Sequence, residues 1–368
     1  MLPDDVLLEI FDFFVKEYPL FIKDTQAWQS LVHVCRRWRC VVFGSPRRLD
    51  LQLLCKAKTP ARDTLDVWPP LPLVIHDRPS SSDSLDDIIA LLRVEHRDRN
   101  RVCQIGLWDL NSSQLEKVSA AIKDSFPELT YLSLHSREET VPLLPDSFLD
   151  GTTPRLEYLE LDCIPFPGLW KLHLVAPHLV DLHLLRIPHS GYFSPEAILT
   201  VLSALTNLQY LWLGFESPQS RPDWASRRPP KRSLLPVLTY FSFNGVSEYL
   251  DNLVERVDAP RLKDLDITFF NQIVFDTPRL VQFISRTPIL KFEKARVVFW
   301  DRAARVKISS NYGELEVEIL CRESDWQVSS LEQVCTSCLP PLSTLEDLYI
   351  DENSFAPPDW KDSIENTL

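Results

Sequence analysis

The chain holds 368 residues, of which 45% are hydrophobic and 25% charged, with a formal net charge of −13. Such a composition describes a globular chain, long enough for a small domain beside a larger one or for one extended repeat array, and it excludes intrinsic disorder. The acidic balance excludes broad binding to a nucleic-acid backbone, and no run reaches the roughly eighteen apolar residues of a membrane span.

The first element is expected at the very start. Pro3 suits the first turn of a helix, where its missing N–H has no partner in any case, and Asp4 and Asp5 follow near the positive end of the helix dipole. Val6, Ile10 and Phe13 fall on one stripe, and Leu7, Phe11 and Phe14 on the adjacent one. A helix apolar over most of its girth requires cover on two sides. A second helix is expected to start at Asp24 and Thr25, both good N-cap types, and to carry Trp28, Leu31, Val32, Cys35, Trp38 and Val42 at helical spacing. About forty residues cannot bury this much apolar surface alone, so either the rest of the chain or a partner supplies the second cover. Asp4, Asp5 and Glu9 also stand where a secretion signal carries Lys or Arg. The eight cysteines are scattered, unlike a disulfide framework. Both features point to a reducing compartment, cytoplasmic and/or nuclear.

The two half-patterns, Leu2-Pro3 through Phe11 and Leu31 through Arg39 with Cys35 and Trp38, resemble an F-box. The resemblance implies that Leu2, Pro3, Leu7, Phe11, Val34, Cys35 and Trp38 meet a Skp-family adaptor, itself held on the cullin scaffold of a ubiquitin ligase. The connection over residues 15–23 is longer than usual for that family. The alternative is that these helices only cap the rest of the chain.

Beyond Gly44-Ser45-Pro46, residues 49–54 and 71–75 read as short strands separated by a Pro-bearing irregular stretch. Asp83 or Ser84 caps a helix through Leu92, a charged turn occupies residues 96–100, residues 102–107 form a strand, and Asn111 caps a helix towards Phe126. Then one unit recurs. Leu129, Leu156, Leu179, Leu208, Leu238 and Leu262 are the first leucines of octets carrying a Leu-x-x-Leu-x-Leu-like signature from their third residue, 23 to 30 residues apart, with a late copy at residues 343–350. This is the period and strand signature of a leucine-rich repeat. Helices fill gaps from Ser194 and Ser247. The signature fades between Pro278 and Ser330, where a helix from residue 278, strands at 295–299 and 315–320, and a capping box at Ser329–Glu332 opening a last helix are expected. The repeats resemble those of fungal F-box proteins with irregular leucine-rich repeats. A solenoid needs a polar terminal cap; the last helical piece supplies it, or the chain is a fragment.

In each octet the leucines point inward and the alternate residues outward. One outward column reads Tyr131, Tyr158, Asp181, Tyr210, Tyr240, Asp264 and Asp347; its neighbour reads Ser133, Glu160, His183, Trp212, Ser242, Asp266 and Tyr349. Aromatic anchors beside acids suit a protein partner carrying basic and apolar groups, against the plainer reading of rings that tile a sheet in cross-strand pairs. Other constellations are weaker. His173, His178, His183 and His189 crowd two repeats, but no Cys or carboxylate joins them at metal-binding spacing, and His173 and His183 each leave their own strand outward. Cys335 and Cys338 lack a second pair, and the basic loop at residues 227–232 reads as an exposed insertion. The 8 glycines, the nearest two 17 residues apart, build no phosphate-cradling loop, and no nucleophile–base motif occurs.

The expectation is therefore an α/β chain: a short helical F-box-like domain (1–48), a linker with irregular first repeats (49–100), and a leucine-rich-repeat-like solenoid (101–368) with parallel strands on its concave face. Its expected role is that of a non-enzymatic substrate receptor, with no cofactor and no metal. It would bind the adaptor through its first helices and an unknown protein substrate through Tyr131, Tyr158, Asp181, His183, Tyr210, Trp212, Tyr240, Asp264, Asp266 and Tyr349. The competing expectation is a ligase-independent repeat scaffold.

Overall fold

Parallel strands with helices between them organise the chain. A computed structural model describes residues 2–16, 27–56, 68–79, 82–93, 99–123, 125–138, 141–145, 148–149, 153–218, 232–287, 293–300, 302–321, 323–339 and 347–352. The expected residue 15–23 connection, the late Leu345, the charged turn at 96–100 and the basic loop at 227–232 fall wholly or largely outside them. Two compact units result: Met1–Glu138 with Pro145–Leu156, and Glu139–Leu144 with Glu157–Leu368.

The first unit begins with helices α1 (Asp4–Lys16), α2 (Ala27–Val34) and α3 (Arg36–Gly44). The expected second helix is thus two. Cys35 between them is extended (φ −160°, ψ 167°), and its sulfur accepts from the Trp38 amide at 3.5 Å, capping the new start. Trp28 anchors the helices: it is buried, its Nε1 donates to the Gln52 carbonyl at 3.0 Å, and Trp68 and Phe43 meet it edge-on at 5.1 and 5.9 Å. Arg37 bonds both the Asp4 carboxylate (2.6 Å) and the Leu2 carbonyl (2.5 Å), and Arg48 pairs with Glu9, so the start of α1 is tied to α3 and to the turn after it. Strands β1 (Leu53–Cys55), β2 (Leu73–Asp77), β3 (Val102–Leu110) and β4 (Tyr131–Ser136) follow, all parallel in chain order. Helices α4 (Ser82–Leu92) and α5 (Ser112–Ala121) form the crossovers. Asn111 and Gln114 make the reciprocal capping box that starts α5. Residues 49–54 pair over a shorter span than their alternation suggests, because Asp50 turns through a positive φ of 47° before β1 begins.

In the second unit β5 (Tyr158–Asp162), β6 (Asp181–Ile187), β7 (Tyr210–Phe215), β9 (Tyr240–Gly245) and β11 (Asp264–Phe269) lie parallel in that order. A small pair, β8 (Ser233–Leu234) with β10 (Val257–Asp258), stands apart. The leucines explain the repetition. Leu179, Leu208 and Leu262 are essentially inaccessible, and each amide bonds the carbonyl three residues back, closing a turn before its strand. The next amide then crosses to the preceding strand, as in Val180 to Glu157, Gln209 to Val180 and Lys263 to Thr239, each at 2.8 Å. Each such leucine contributes about 1.5–3 kcal/mol of burial. Helices α6 (Leu172–Val175), α7 (Pro195–Leu202), α8 (Ser247–Val254) and α9 (Pro278–Arg286) cover the inward face.

After β11 the order departs from the chain. The next neighbour is β14 (Glu314–Leu320), parallel to β11; then β13 (Ala303–Ser309) and β12 (Lys294–Trp300), joined antiparallel; then β15 (Asp347–Glu352), parallel to β12. The sheet of this unit is thus large and mostly parallel, with one antiparallel meander that the repeat pattern does not announce. Helix α10 (Ser324–Ser337) begins before the expected capping box, so Ser329 and Ser330 lie inside it. His173 also differs from expectation: it sits in α6, not on a strand.

Candidate functional site

Two surfaces carry the residues singled out by sequence. The first is α1. Its pitch turns Leu7, Leu8 and Phe11 inward, Phe11 to 0% exposure with its ring 4.8 Å from Trp38. The assignment of Leu7 and Phe11 to a partner surface is therefore corrected: the chain itself buries both, Phe11 against Trp38 of α3. The stripe left open is Val6 (41% exposed), Ile10 (47%) and Phe13 (64%). Leu2, Pro3, Val34 and Cys35 are exposed as well, and Trp38 is half-buried. The sequence reading noticed both stripes but had no means of telling which one the chain covers itself.

The second surface is the outward face of the second unit's sheet, built by the period-two alternation of its strands. Register brings the first column together: Tyr158 beside Asp181, Asp181 beside Tyr210, Tyr210 beside Tyr240, and Tyr240 beside Asp264. The second column runs Glu160, His183, Trp212, Ser242 and Asp266. Between the columns the rings form a row. Tyr158 and His183 stand 4.9 Å apart, His183 and Trp212 5.3 Å, and Trp212 and Tyr240 5.0 Å, the last two pairs tilted by only 33° and 30°. The Tyr158 hydroxyl donates to Glu160 at 2.7 Å, and the Tyr240 hydroxyl reaches Asp266 at 3.4 Å. Tyr210 is exposed, whereas Tyr158, His183, Trp212 and Tyr240 are half-buried.

Tyr349 does not follow Asp266. In the register, Glu316, Lys307 and Arg296 stand between them, because three strands of the meander intervene. Those strands add residues the sequence reading did not place at the site. Glu314, Glu316 and Glu318 leave β14 on the same face as Asp264 and Asp266. Lys307 bonds Glu314 at 2.6 Å, and Arg305 bonds Glu316 at 2.7 Å and Glu318 at 2.5 Å while its guanidinium carbon lies 4.3 Å from the Trp300 ring. The strict Glu-x-Glu-x-Glu alternation in residues 314–318 was the available signal. Burial dominates the electrostatics here. It raises the carboxyl pKa of Asp266, with Glu318 adding repulsion, and likewise that of Asp264, with Glu314 adding to it; Asp181 is raised by burial and by Glu157. Burial also lowers the pKa of His183, favouring neutral imidazole.

Tyr131 belongs to the first unit and has different company. The His76 ring lies 5.6 Å from it and 5.5 Å from Trp108, with Trp108 6.1 Å from His135. Gly106 is required under this cluster, since a Cβ there would come within 2.8 Å of Trp108 and 2.9 Å of His76. His76 Nε2 is buried without a hydrogen-bond partner, and burial lowers its pKa to about 4. Neither His76 nor Trp108 belongs to a recognisable octet, so the repeat pattern passed over both.

Among the described residues, no group of three or more His, Cys, Asp or Glu side chains is arranged to hold a metal ion, and no helix is long and apolar enough to cross a membrane. Cys335 and Cys338 are free thiols, with burial pushing Cys338 up to about 12. No protein-family model matches the chain, and a search of curated proteins finds no match.

Proposed function

We propose that this protein is a substrate-recognition subunit of a Skp–cullin–F-box type ubiquitin ligase. In this reading α1 docks on the Skp-family adaptor, and the outward face of the leucine-rich-repeat-like strands holds a protein target. The observation that carries the reading is the open stripe Val6, Ile10 and Phe13 on a helix whose opposite stripe is already buried. Exposed apolar surface organised along one helix is a recognised mode of partner docking. The Leu2-Pro3 and Cys35/Trp38 half-patterns, both at exposed or half-buried positions, indicate which partner. The chain itself performs no bond chemistry in this role. It holds a target lysine near a conjugating enzyme, so rate comes from effective concentration.

A ligase-independent scaffold is the second reading, favoured by the packing of Phe11 and Trp28 into the first unit, as a terminal cap would pack. Mixing the full chain with purified Skp-type adaptor and running the mixture on a sizing column separates the two. Co-elution in a one-to-one complex supports the receptor; separate elution at micromolar concentrations leaves the scaffold.

A further inference from the structure

On the second unit's outward face, one guanidinium is already seated by the chain itself. Arg305 lies 4.3 Å from the Trp300 ring and bonds Glu316 and Glu318. An indole below and two carboxylates beside it suit a guanidinium: the ring face meets the cation, and the carboxylates take in-plane N–H donors. The same set of parts recurs nearby. Trp212 and Tyr240 stand 5.0 Å apart, Tyr240 is the register neighbour of Asp264, and its hydroxyl reaches Asp266. Here no cation of the chain comes within ion-pair distance, although Arg305 acts on Asp266, and Lys263 and Lys307 on Asp264, from farther away. Among the described residues Asp264 and Asp266 have no ion pair; the close partners of Lys307 and Arg305 are Glu314, Glu316 and Glu318. Strands β11 and β14 present five carboxylates outward, and β13 answers with only Arg305 and Lys307.

We propose that the Trp212–Tyr240–Asp264–Asp266 set is a seat for an arginine side chain of a partner protein, presented on an extended segment lying across the strands. The seat rests on the substrate-face reading above and narrows it to arginine-bearing targets. Arginine is preferred over lysine because a planar guanidinium both packs on aromatic surface and reaches two carboxylates, which a compact ammonium does not. The row of Tyr158, His183 and Trp212 supplies apolar shelf for the residues flanking the arginine.

The test uses the full chain and fluorescein-labelled peptides of alternating glycine and arginine, glycine and lysine, or glycine and glutamate, followed by fluorescence anisotropy at 150 mM salt. The arginine peptide is expected to bind at least threefold tighter than the lysine peptide, and the glutamate peptide not at all. Asp264→Asn with Asp266→Asn should weaken arginine binding at least tenfold. A charge-matched control on the first unit, Asp87→Asn with Glu116→Gln, should change it less than twofold. Trp212→Ala should weaken the arginine peptide more than the lysine peptide, and circular dichroism should show every variant folded. No binding by the wild type, equal affinity for arginine and lysine, or equal weakening by the control pair would each overturn the seat. Adaptor capture by the same preparations is scored separately. Capture without peptide binding rejects the seat alone, and peptide binding without capture rejects the ligase role alone.

Discussion

Helix α1 offers two stripes to the same kind of substitution, and they should respond in opposite ways. Ile10→Asp with Phe13→Asp alters only the open stripe. A phenylalanine presents about 200 Å²; with Phe13 64% exposed, about 130 Å² is left for a partner, or ~3 kcal/mol at ~25 cal/mol per Å². Ile10, about half exposed, adds ~1 kcal/mol on the same scale. Loss of ~4 kcal/mol corresponds to ~10³-fold in affinity, reduced wherever the partner interface adjusts. Stability should move by less than about 1 kcal/mol, because neither side chain contributes its exposed part to the core. Phe11→Ala does the reverse: removing a ring at 0% exposure, packed on Trp38, costs ~3–5 kcal/mol of stability. Urea unfolding gives the stability change, and calorimetric titration with the Skp-type adaptor gives the affinity. The reasoning fails if the double aspartate variant unfolds as readily as Phe11→Ala, or if it is fully folded and binds the adaptor as the wild type does.

Three further outcomes follow from the structure. Burial lowers His76 from 6.5 to about 4, so the unfolded chain takes up this proton first as pH falls. The stability His76 protects is present above pH 6.5 and lost on the way to pH 4, at most ~3 kcal/mol and less for its partial exposure; unfolding midpoints of His76→Gln should therefore fall less steeply across that window than those of the wild type. Asp251 Oδ1 accepts from the Arg279 and Leu280 amides at 2.9 and 3.1 Å and so caps α9. Asp251→Ala should cost ~2–4 kcal/mol in urea unfolding, and Asp251→Asn half that or less, since burial already disfavours the charge and an amide oxygen retains the acceptor. A methyl at Gly191 would meet Pro165 at 2.7 Å whereas one at Gly44 meets nothing within 4 Å. Thermal unfolding should show Gly191→Ala destabilised by ~1–3 kcal/mol and Gly44→Ala, within a helix, stabilised by ~0.5–1 kcal/mol.

Several local features were legible before any coordinates. Asn111 and Gln114 carry the capping box in four residues, and Ser194 caps α7 through its own hydroxyl; both depend on neighbours in the chain and nothing else. The α10 start was misplaced for the complementary reason: Ser329-Ser330-Leu331-Glu332 has the chemistry of a cap, but Ser330 is buried within a helix that begins at Ser324. The break at Cys35 escaped notice because helical spacing continues through it while the backbone does not.

By itself the sequence determined which residues leave the sheet outward, since alternation along a strand is a local property of the extended backbone. Leu179, Leu208 and Leu262 are buried, and Asp181, Tyr210 and Asp264, each two residues on, point away, as their spacing requires. Which outward residues become neighbours was decided only by the tertiary structure. Strand β11 pairs with β14, and β12 and β13 fold back beyond it. That choice sets Glu314 and Glu316 beside Asp264 and Asp266 and carries Tyr349 away from them, because strand pairing is a long-range contact that no period along the chain encodes. The same holds at α1. Its composition requires two covers, and the burial of Leu7, Leu8 and Phe11, the last against Trp38, leaves Val6, Ile10 and Phe13 as the stripe still open.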